Sequence, residues 1–167
     1  MSALKNTTKN TSAAEAAPLE TLKLFRIIFK SVNRHFHDVE KAVGIGGAAL
    51  WALAEVAVSD NITVTKLAQA MSVHQSTASN LIDKLVLDGF LVRIKDTHDR
   101  RIVHLSLTSR GKDLLKYAPL PHRGILPDAL MRLSPESLEQ LNQHLNELVD
   151  TMNAKQSSAA FEPLGLS

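Results

Sequence analysis

The residues best suited to chemistry lie in a charged turn between two short runs of alternating apolar residues. In the segment 91–111, LVRIKDTHDRRIVHLSLTSRG, this turn holds Asp99, Arg100 and Arg101. Guanidinium groups on a projecting hairpin bind phosphate, and a minor groove attracts arginine through its negative potential. A carboxylate two residues before an arginine can hold its guanidinium in one rotamer. We therefore predict an Asp99–Arg101 pair that presents Arg101 to DNA, with Arg100 on a phosphate. The alternative is a solvated charged turn.

A second polar set lies on a segment predicted as a helix over residues 75–88. Short hydrogen-bonding side chains occupy its exposed face near the helix start, where they match the donors and acceptors of base edges in a major groove. The helix N-terminus also attracts phosphate, and Lys84 is expected to reach the DNA backbone. The alternative is an ordinary solvated helix face. The proposed base-reading face consists of Gln75, Ser76, Thr77, Ser79 and Asn80.

Further polar residues beside these two elements are expected to approach DNA. Lys95 and His98 flank the charged turn and are expected near phosphates rather than bases. The remaining candidates are Thr63, Thr65, His74 and Arg93.

The elements that position these residues follow from the apolar pattern. A segment that is apolar almost all round predicts a buried helix containing Trp51. Thr63 and Thr108 are placed to cap two later helices, and Gly89 is placed to end the base-reading helix. The predicted helices cover residues 48–58, 64–70, 75–88, a segment from Ser109 and residues 128–132, with strands over 91–95 and 102–107.

Two amphipathic helices near the chain ends carry apolar stripes longer than one small domain would cover. Both stripes have 3-4 spacing, and Ser134 with Pro135 marks the start of the second helix. We expect a homodimer, and the alternative is that the two helices pair within one chain. The residues expected at the dimer interface are Leu22, Phe25, Phe29, Leu138, Leu141, Leu145, Leu148 and Met152.

Composition limits the classes of function. The chain has 167 residues, of which 44% are hydrophobic, and it has no cysteine, which excludes disulfides and thiolate chemistry. No apolar run approaches the ~20 residues of a membrane span, and no signal-peptide pattern precedes the first helix, so a cytoplasmic location is expected. The net charge is only +2, but residues 72–112 carry +3 and residues 128–167 carry −4. The central segment is thus the one suited to a polyanion.

These residues resemble the signature of the MarR family of transcriptional regulators. The matching positions are Asp96, Asp99, Arg101, Val103, Leu105, Leu107, Thr108 and Gly111, together with Leu67-Ala68 and residues 89–93. The resemblance implies a mainly α fold with a small β wing, in which a winged helix-turn-helix is flanked by N- and C-terminal dimerisation helices. It also implies a homodimer on double-stranded DNA with a pseudo-palindromic operator, and release by a small ligand, often an aromatic acid. His74 and Asn80 depart from the family pattern, where a small polar and a basic residue are usual.

The corresponding division of the chain has five parts. They are a disordered tail (1–18), an N-terminal dimerisation helix (19–44), the winged helix-turn-helix (45–112), C-terminal dimerisation helices (113–155) and a flexible tail (156–167).

A ligand cavity is less well marked than the DNA-binding surface. Candidate lining residues are Arg26, His35, Trp51 and Tyr117, with the alternative that Trp51 is simply core. The Pro-rich break at residues 118–127 is compatible with a pocket or a hinge. His35 and His37 lie two apart on a helix and face different ways, so no metal site and no cofactor are predicted.

The sequence thus predicts a homodimeric, sequence-specific DNA-binding regulator, a repressor released by a small ligand. Two alternatives stay open: a winged helix that binds proteins without an operator, and a metal-responsive regulator. An enzyme is not expected, because no nucleophile with its base and no phosphate-binding glycine loop is present.

Overall fold

The computed structural model describes residues 4–59, 61–152 and 157–164. The elements found there have the predicted architecture, mainly α-helical with one antiparallel two-stranded sheet. In chain order they are α1 (Leu4–Val43), α2 (Gly47–Val58), α3 (Val64–Ala70), α4 (Gln75–Leu87), β1 (Leu91–Lys95), β2 (Val103–Leu107), α5 (Ser109–Tyr117), α6 (Ile125–Met131), α7 (Pro135–Thr151) and a 3-10 helix (Ser157–Phe161).

The main core lies where α2, α3, α4 and the base of the sheet meet. Its fully buried side chains include Leu53, Leu67, Ile82, Leu85 and Leu91, one or two from each element. Burying an aliphatic side chain of this size contributes about 1.5–3 kcal/mol. This cluster therefore holds the helix-turn-helix and the hairpin together as one unit.

Local hydrogen bonds explain where several helices start. Thr63 Oγ1 accepts from Lys66 N at 3.3 Å, Thr108 Oγ1 from Gly111 N at 3.0 Å, and Ser134 Oγ from Ser137 N at 3.1 Å. Each bond satisfies an N–H group that the first helical turn leaves without a partner. The predicted caps at Thr63, Thr108 and Ser134 are confirmed.

The hairpin is anchored at its base to the segment before α3. Leu91 pairs with Leu107 and Lys95 with Val103, which sets the register of β1 and β2. Leu105 N also donates to Ile62 O at 2.9 Å. The chain just before α3 is therefore hydrogen-bonded to β2 on the side away from β1.

The chain ends differ from the sequence prediction. α1 begins at Leu4, well before the helix start predicted at residue 19, because the sequence there is rich in alanine, a strong helix former, and Pro18 lies inside the helix. Residues 1–3 of the predicted tail lie outside the described residues. In the predicted C-terminal tail, Phe161 packs on His74 with ring centroids 4.7 Å apart. His74 N donates to Phe161 O at 3.3 Å, so this part of the predicted tail contacts the start of α4. Residues 156 and 165–167 of the predicted tail lie outside the described residues.

α6 begins at Ile125, three residues before its predicted start. Pro127 lies in its first turn, where the missing N–H costs no intrahelical hydrogen bond. The prediction placed the helix beyond this proline, although proline is compatible with a helix start.

No single helix in the described ranges is long and apolar enough to cross a bilayer. Residues Ala16–Val43 and α2 reach the length and mean hydropathy of a membrane span only when they are counted together, and a bend of 72° separates them.

Candidate nucleic-acid interface

The turn between β1 and β2 contains the predicted ion pair. Arg101 Nε and Nη2 donate to Asp99 Oδ1 and Oδ2, both at 3.0 Å, and Arg101 N also donates to Oδ1 at 3.0 Å. The Arg101 side chain is nevertheless 91% exposed. The guanidinium is thus held in one orientation while it projects from the protein.

The same contacts set the charges at the tip. The hydrogen bonds from the Arg101 side chain and backbone lower the pKa of Asp99, and the Asp99 carboxylate raises the pKa of Arg101. A guanidinium has five N–H donors, and the pair uses two of them. The other three stay available for a phosphate or a base edge.

A second carboxylate shapes the turn from its base. Asp96 Oδ1 accepts from His98 N at 2.7 Å and from Asp99 N at 3.0 Å, while Oδ2 lies 2.9 Å from His104 Nε2. The Asp99 backbone N–H, the His104 side chain and the His98 backbone N–H together lower the pKa of Asp96 to about 2. Asp96 is therefore ionised at neutral pH and fixes the backbone that leads to Asp99.

His104 was missed at the sequence level. Its Nδ1 lies 2.8 Å from Asn61 O, and its side chain is only 16% exposed. The sequence held a signal for its contact with Asp96. In a hairpin that pairs Lys95 with Val103, Asp96 lies diagonally across from His104.

The start of α4 presents most of the predicted base-reading residues to solvent. Gln75, Ser76 and Asn80 are exposed, while Thr77 and Ser79 are half-buried. His74 is the N-cap residue but makes no side-chain capping bond. Further along the helix, Lys84 is exposed.

The flanking candidates differ in how freely they can reach a ligand. In the hairpin, Lys95, His98 and Arg100 are exposed, and in α3 Thr65 is exposed. Thr63 uses its hydroxyl to cap α3. Arg93 Nη2 donates to Asp83 Oδ1 at 2.6 Å, which ties β1 to α4.

A small cavity of about 40 Å³ lies between α1, α2 and α6. His35 and Trp51 line it, as predicted, whereas Arg26 and Tyr117 are exposed and do not. Pro163 from the C-terminal segment also lines it.

An ion pair missed from sequence closes one side of this cavity. The buried Glu55 accepts from Arg123 Nε at 2.6 Å and from Trp51 Nε1 at 2.8 Å. A glutamate in an otherwise apolar helix needs such a partner, which was the available signal. Trp51 is half-buried and contributes both to the core and to the cavity wall.

Metal ligands do not cluster in the described ranges. Within them, no three His, Asp or Glu side chains come close enough to hold an ion.

Comparison with known proteins shows which family the central winged helix-turn-helix resembles. A sequence profile described as the MarR family matches residues 49–103, from α2 to the start of β2. The transcriptional repressor MprA of Escherichia coli K12 is 27% identical over 115 residues, which cover 68% of this chain and 65% of MprA. The HTH-type transcriptional repressor MdtR of Bacillus subtilis is 25% identical over 113 residues, covering 68% of this chain and 73% of MdtR.

Solved structures agree in fold. The S. aureus MepR–DNA complex has a TM-score of 0.55 and 22% identity, covering 77% of this chain and 94% of the MepR chain. The transcriptional regulator BldR from Sulfolobus solfataricus has a TM-score of 0.51 and 26% identity, covering 79% and 96%. Together with the hairpin signature and the helix order, these similarities identify residues 49–103 as a winged helix-turn-helix domain of the MarR type.

Proposed function

We propose that this chain is a homodimeric, sequence-specific DNA-binding transcriptional regulator that acts as a repressor in the cytoplasm. The Asp99–Arg101 pair carries the proposal, because it holds an exposed cation at the tip of a hairpin with three unused N–H donors. Its relatives MprA and MdtR are named transcriptional repressors, and MepR has been solved with DNA.

In the proposed complex the start of α4 reads bases in the major groove. Gln75 and Asn80 offer the amide groups that bind adenine in a bidentate manner. Ser76 lies in the first turn of α4, one residue after Gln75. The backbone N–H groups of that turn also face outward, where they can bind a phosphate. In this proposal the β1–β2 hairpin contacts the minor groove or a phosphate, and α4 recognises the bases.

Exposed apolar side chains on the terminal helices support the dimer. Leu22 and Phe29 on α1 are 44% and 62% exposed, and Leu148 and Met152 at the end of α7 are 38% and 66% exposed. No residue of α7 is buried. A second copy would cover both stripes, and its two-fold symmetry predicts a pseudo-palindromic operator with half-sites about one helical turn apart.

The cavity beside Trp51 is the proposed effector site. At about 40 Å³ it is smaller than an aromatic acid requires, so an effector must displace part of its wall. Pro163 belongs to the C-terminal segment that also contacts His74, the N-cap of α4. Displacing this segment gives effector binding a physical route to the base-reading helix.

The wing is tested with Arg101→Ala and the matched control Arg132→Ala, which removes an exposed arginine paired with Asp128 on α6. Binding is measured by fluorescence anisotropy with DNA from upstream of the chain's own gene. We expect Arg101→Ala to weaken binding about tenfold or more and to reduce the salt slope by about one, because one charge contact is lost. The control should bind as the wild type does.

Normal binding by Arg101→Ala would refute the wing contact. An absence of salt-dependent binding by the wild-type protein would instead favour the protein-interaction alternative. Gln75→Ala separates base reading from backbone contact: we expect it to cost about 1–3 kcal/mol at one base position only.

The dimer is tested with Leu148→Glu in sedimentation velocity. A charge within the apolar stripe of α7 should shift the protein to monomer, because an unpaired carboxylate is costly to bury. Leu87→Glu is the control, since Leu87 lies on α4 and is 86% exposed. A dimeric Leu148→Glu variant would contradict the α7 interface.

A further inference from the structure

The His104 ring joins two parts of the fold that are distant in sequence. Its Nδ1 lies 2.8 Å from Asn61 O, in the loop before α3, and its Nε2 lies 2.9 Å from Asp96 Oδ2, at the base of the wing turn. The side chains of His104 and Asp96 are only 16% and 27% exposed. Water therefore competes weakly for these two hydrogen bonds.

Both partners of the ring are hydrogen-bond acceptors. A backbone carbonyl has no hydrogen to donate, and the Asp96 carboxylate is ionised because its pKa is about 2. The ring makes both contacts only when both nitrogens carry hydrogen, as imidazolium. A neutral ring satisfies one acceptor and turns a lone pair toward the other.

Two charged side chains among the described residues lie near the ring. Asp96 is in direct contact with it, and Lys112 of α5 lines the same cleft. The other described residues lining that cleft carry no charge and include Val56, Ala57, Ser59, Ile94 and Ser106.

From His104 the hydrogen bonds continue to the wing tip. Asp96 holds the backbone N–H of Asp99, and Asp99 holds the Arg101 guanidinium. On the other side, Asn61 is followed by Ile62, whose carbonyl accepts from Leu105 N. A continuous set of contacts thus connects the loop before α3 with Arg101.

We propose that His104 is a positioning residue for the wing, which fixes Arg101 relative to the helix-turn-helix for DNA binding. The proposal rests on the proposed function. Without the ring, the loop before α3 and the base of the wing turn lose their shared contact and the wing loosens.

The first test compares DNA affinity for wild type, His104→Leu, His104→Gln and His37→Gln. We expect His104→Leu to bind about tenfold more weakly, the effect of losing one hydrogen bond to a carboxylate. His104→Gln should recover part of this loss. His37→Gln, which removes an exposed histidine from α1, should bind as the wild type does.

The second test needs no DNA and uses ¹H–¹⁵N NMR of the whole chain. In the wild type the Arg101 Nε–H signal should report an ordered guanidinium. His104→Leu should broaden or shift that signal, and His104→Gln, which keeps a donor for Asp96, should restore part of it. Circular dichroism checks that each variant is folded.

The outcomes separate the two proposals. If the wild type binds no DNA but the NMR results hold, the proposed function fails and the positioning role stands. If His104→Leu binds DNA as tightly as the wild type, or the Arg101 signal is unchanged in His104→Leu, the positioning role is overturned.

Discussion

Gly111 occupies a position where the fold leaves no room for a side chain. It lies in the first turn of α5, and a Cβ atom there would stand 2.3 Å from the carbonyl oxygen of Phe90 and 3.1 Å from Leu107 Cδ2. The nearer atom belongs to the backbone, so no rotamer change relieves the overlap. Gly111→Ala must push α5 away from the start of β1.

The size of the effect follows from these contacts. Restoring an ordinary separation requires a shift of about 1 Å, and overpacking of this kind costs about 1–3 kcal/mol. The shift also strains the Phe90 carbonyl, which accepts from Thr108 N at 3.1 Å and from Thr108 Oγ1 at 3.2 Å. Weakening one of these bonds adds about 1 kcal/mol. We expect Gly111→Ala to lower the free energy of unfolding by about 2–4 kcal/mol.

The assay is urea unfolding followed by circular dichroism, with all variants at equal protomer concentration because association affects stability. The expected loss corresponds to a midpoint lower by about 1–2 M urea at unchanged slope. Gly46→Ala is the control: its φ is −70°, and nothing lies within 4 Å of an added Cβ. Equal midpoints for Gly111→Ala and Gly46→Ala would refute the steric reasoning.

Two further predictions concern buried and partly buried carboxylates. Glu55→Ala leaves Arg123 and the Trp51 N–H without their partner and should cost about 2–4 kcal/mol by urea unfolding; a loss no larger than that of the exposed-site variant Glu139→Ala would contradict it. The folded-state pKa of Asp96 is about 2, below its usual 3.8, so its stabilisation is present above pH ~4 and is lost as the pH falls toward 2. Asp96→Asn should therefore be less stable than wild type at pH 7, and the difference should shrink steadily as the pH falls from about 4 toward 2; a difference that stays constant over this range would exclude the linkage.

The sequence predicted the parts of the fold that local chemistry determines. The caps at Thr63 and Thr108 and the Asp99–Arg101 pair involve residues two or three apart, so spacing alone indicates them. The start of α1 was predicted too late, because Pro18 and the polar composition before it outweighed the helix propensity of the alanines.

The contacts that the sequence did not reveal are distant along the chain. His104 and Asn61 are 43 residues apart, and Glu55 and Arg123 are 68 apart. No periodicity relates such positions, since tertiary packing brings them together. The exposed polar residues of the wing tip and of the start of α4 were thus recognisable from sequence, while the side chains that hold them in place became visible only in the fold.

The tethered arginine at the wing tip has a thermodynamic consequence. A long side chain that is 91% exposed normally samples many rotamers, and a binding partner has to restrict them. Asp99 restricts Arg101 before any DNA arrives, so part of the conformational entropy of binding is already lost on folding. In the proposed complex Asp99 places a negative charge near a polyanion, but it also holds the Arg101 side chain in one conformation before binding. Removing that charge would therefore make the tip more cationic and, at the same time, less ready to bind.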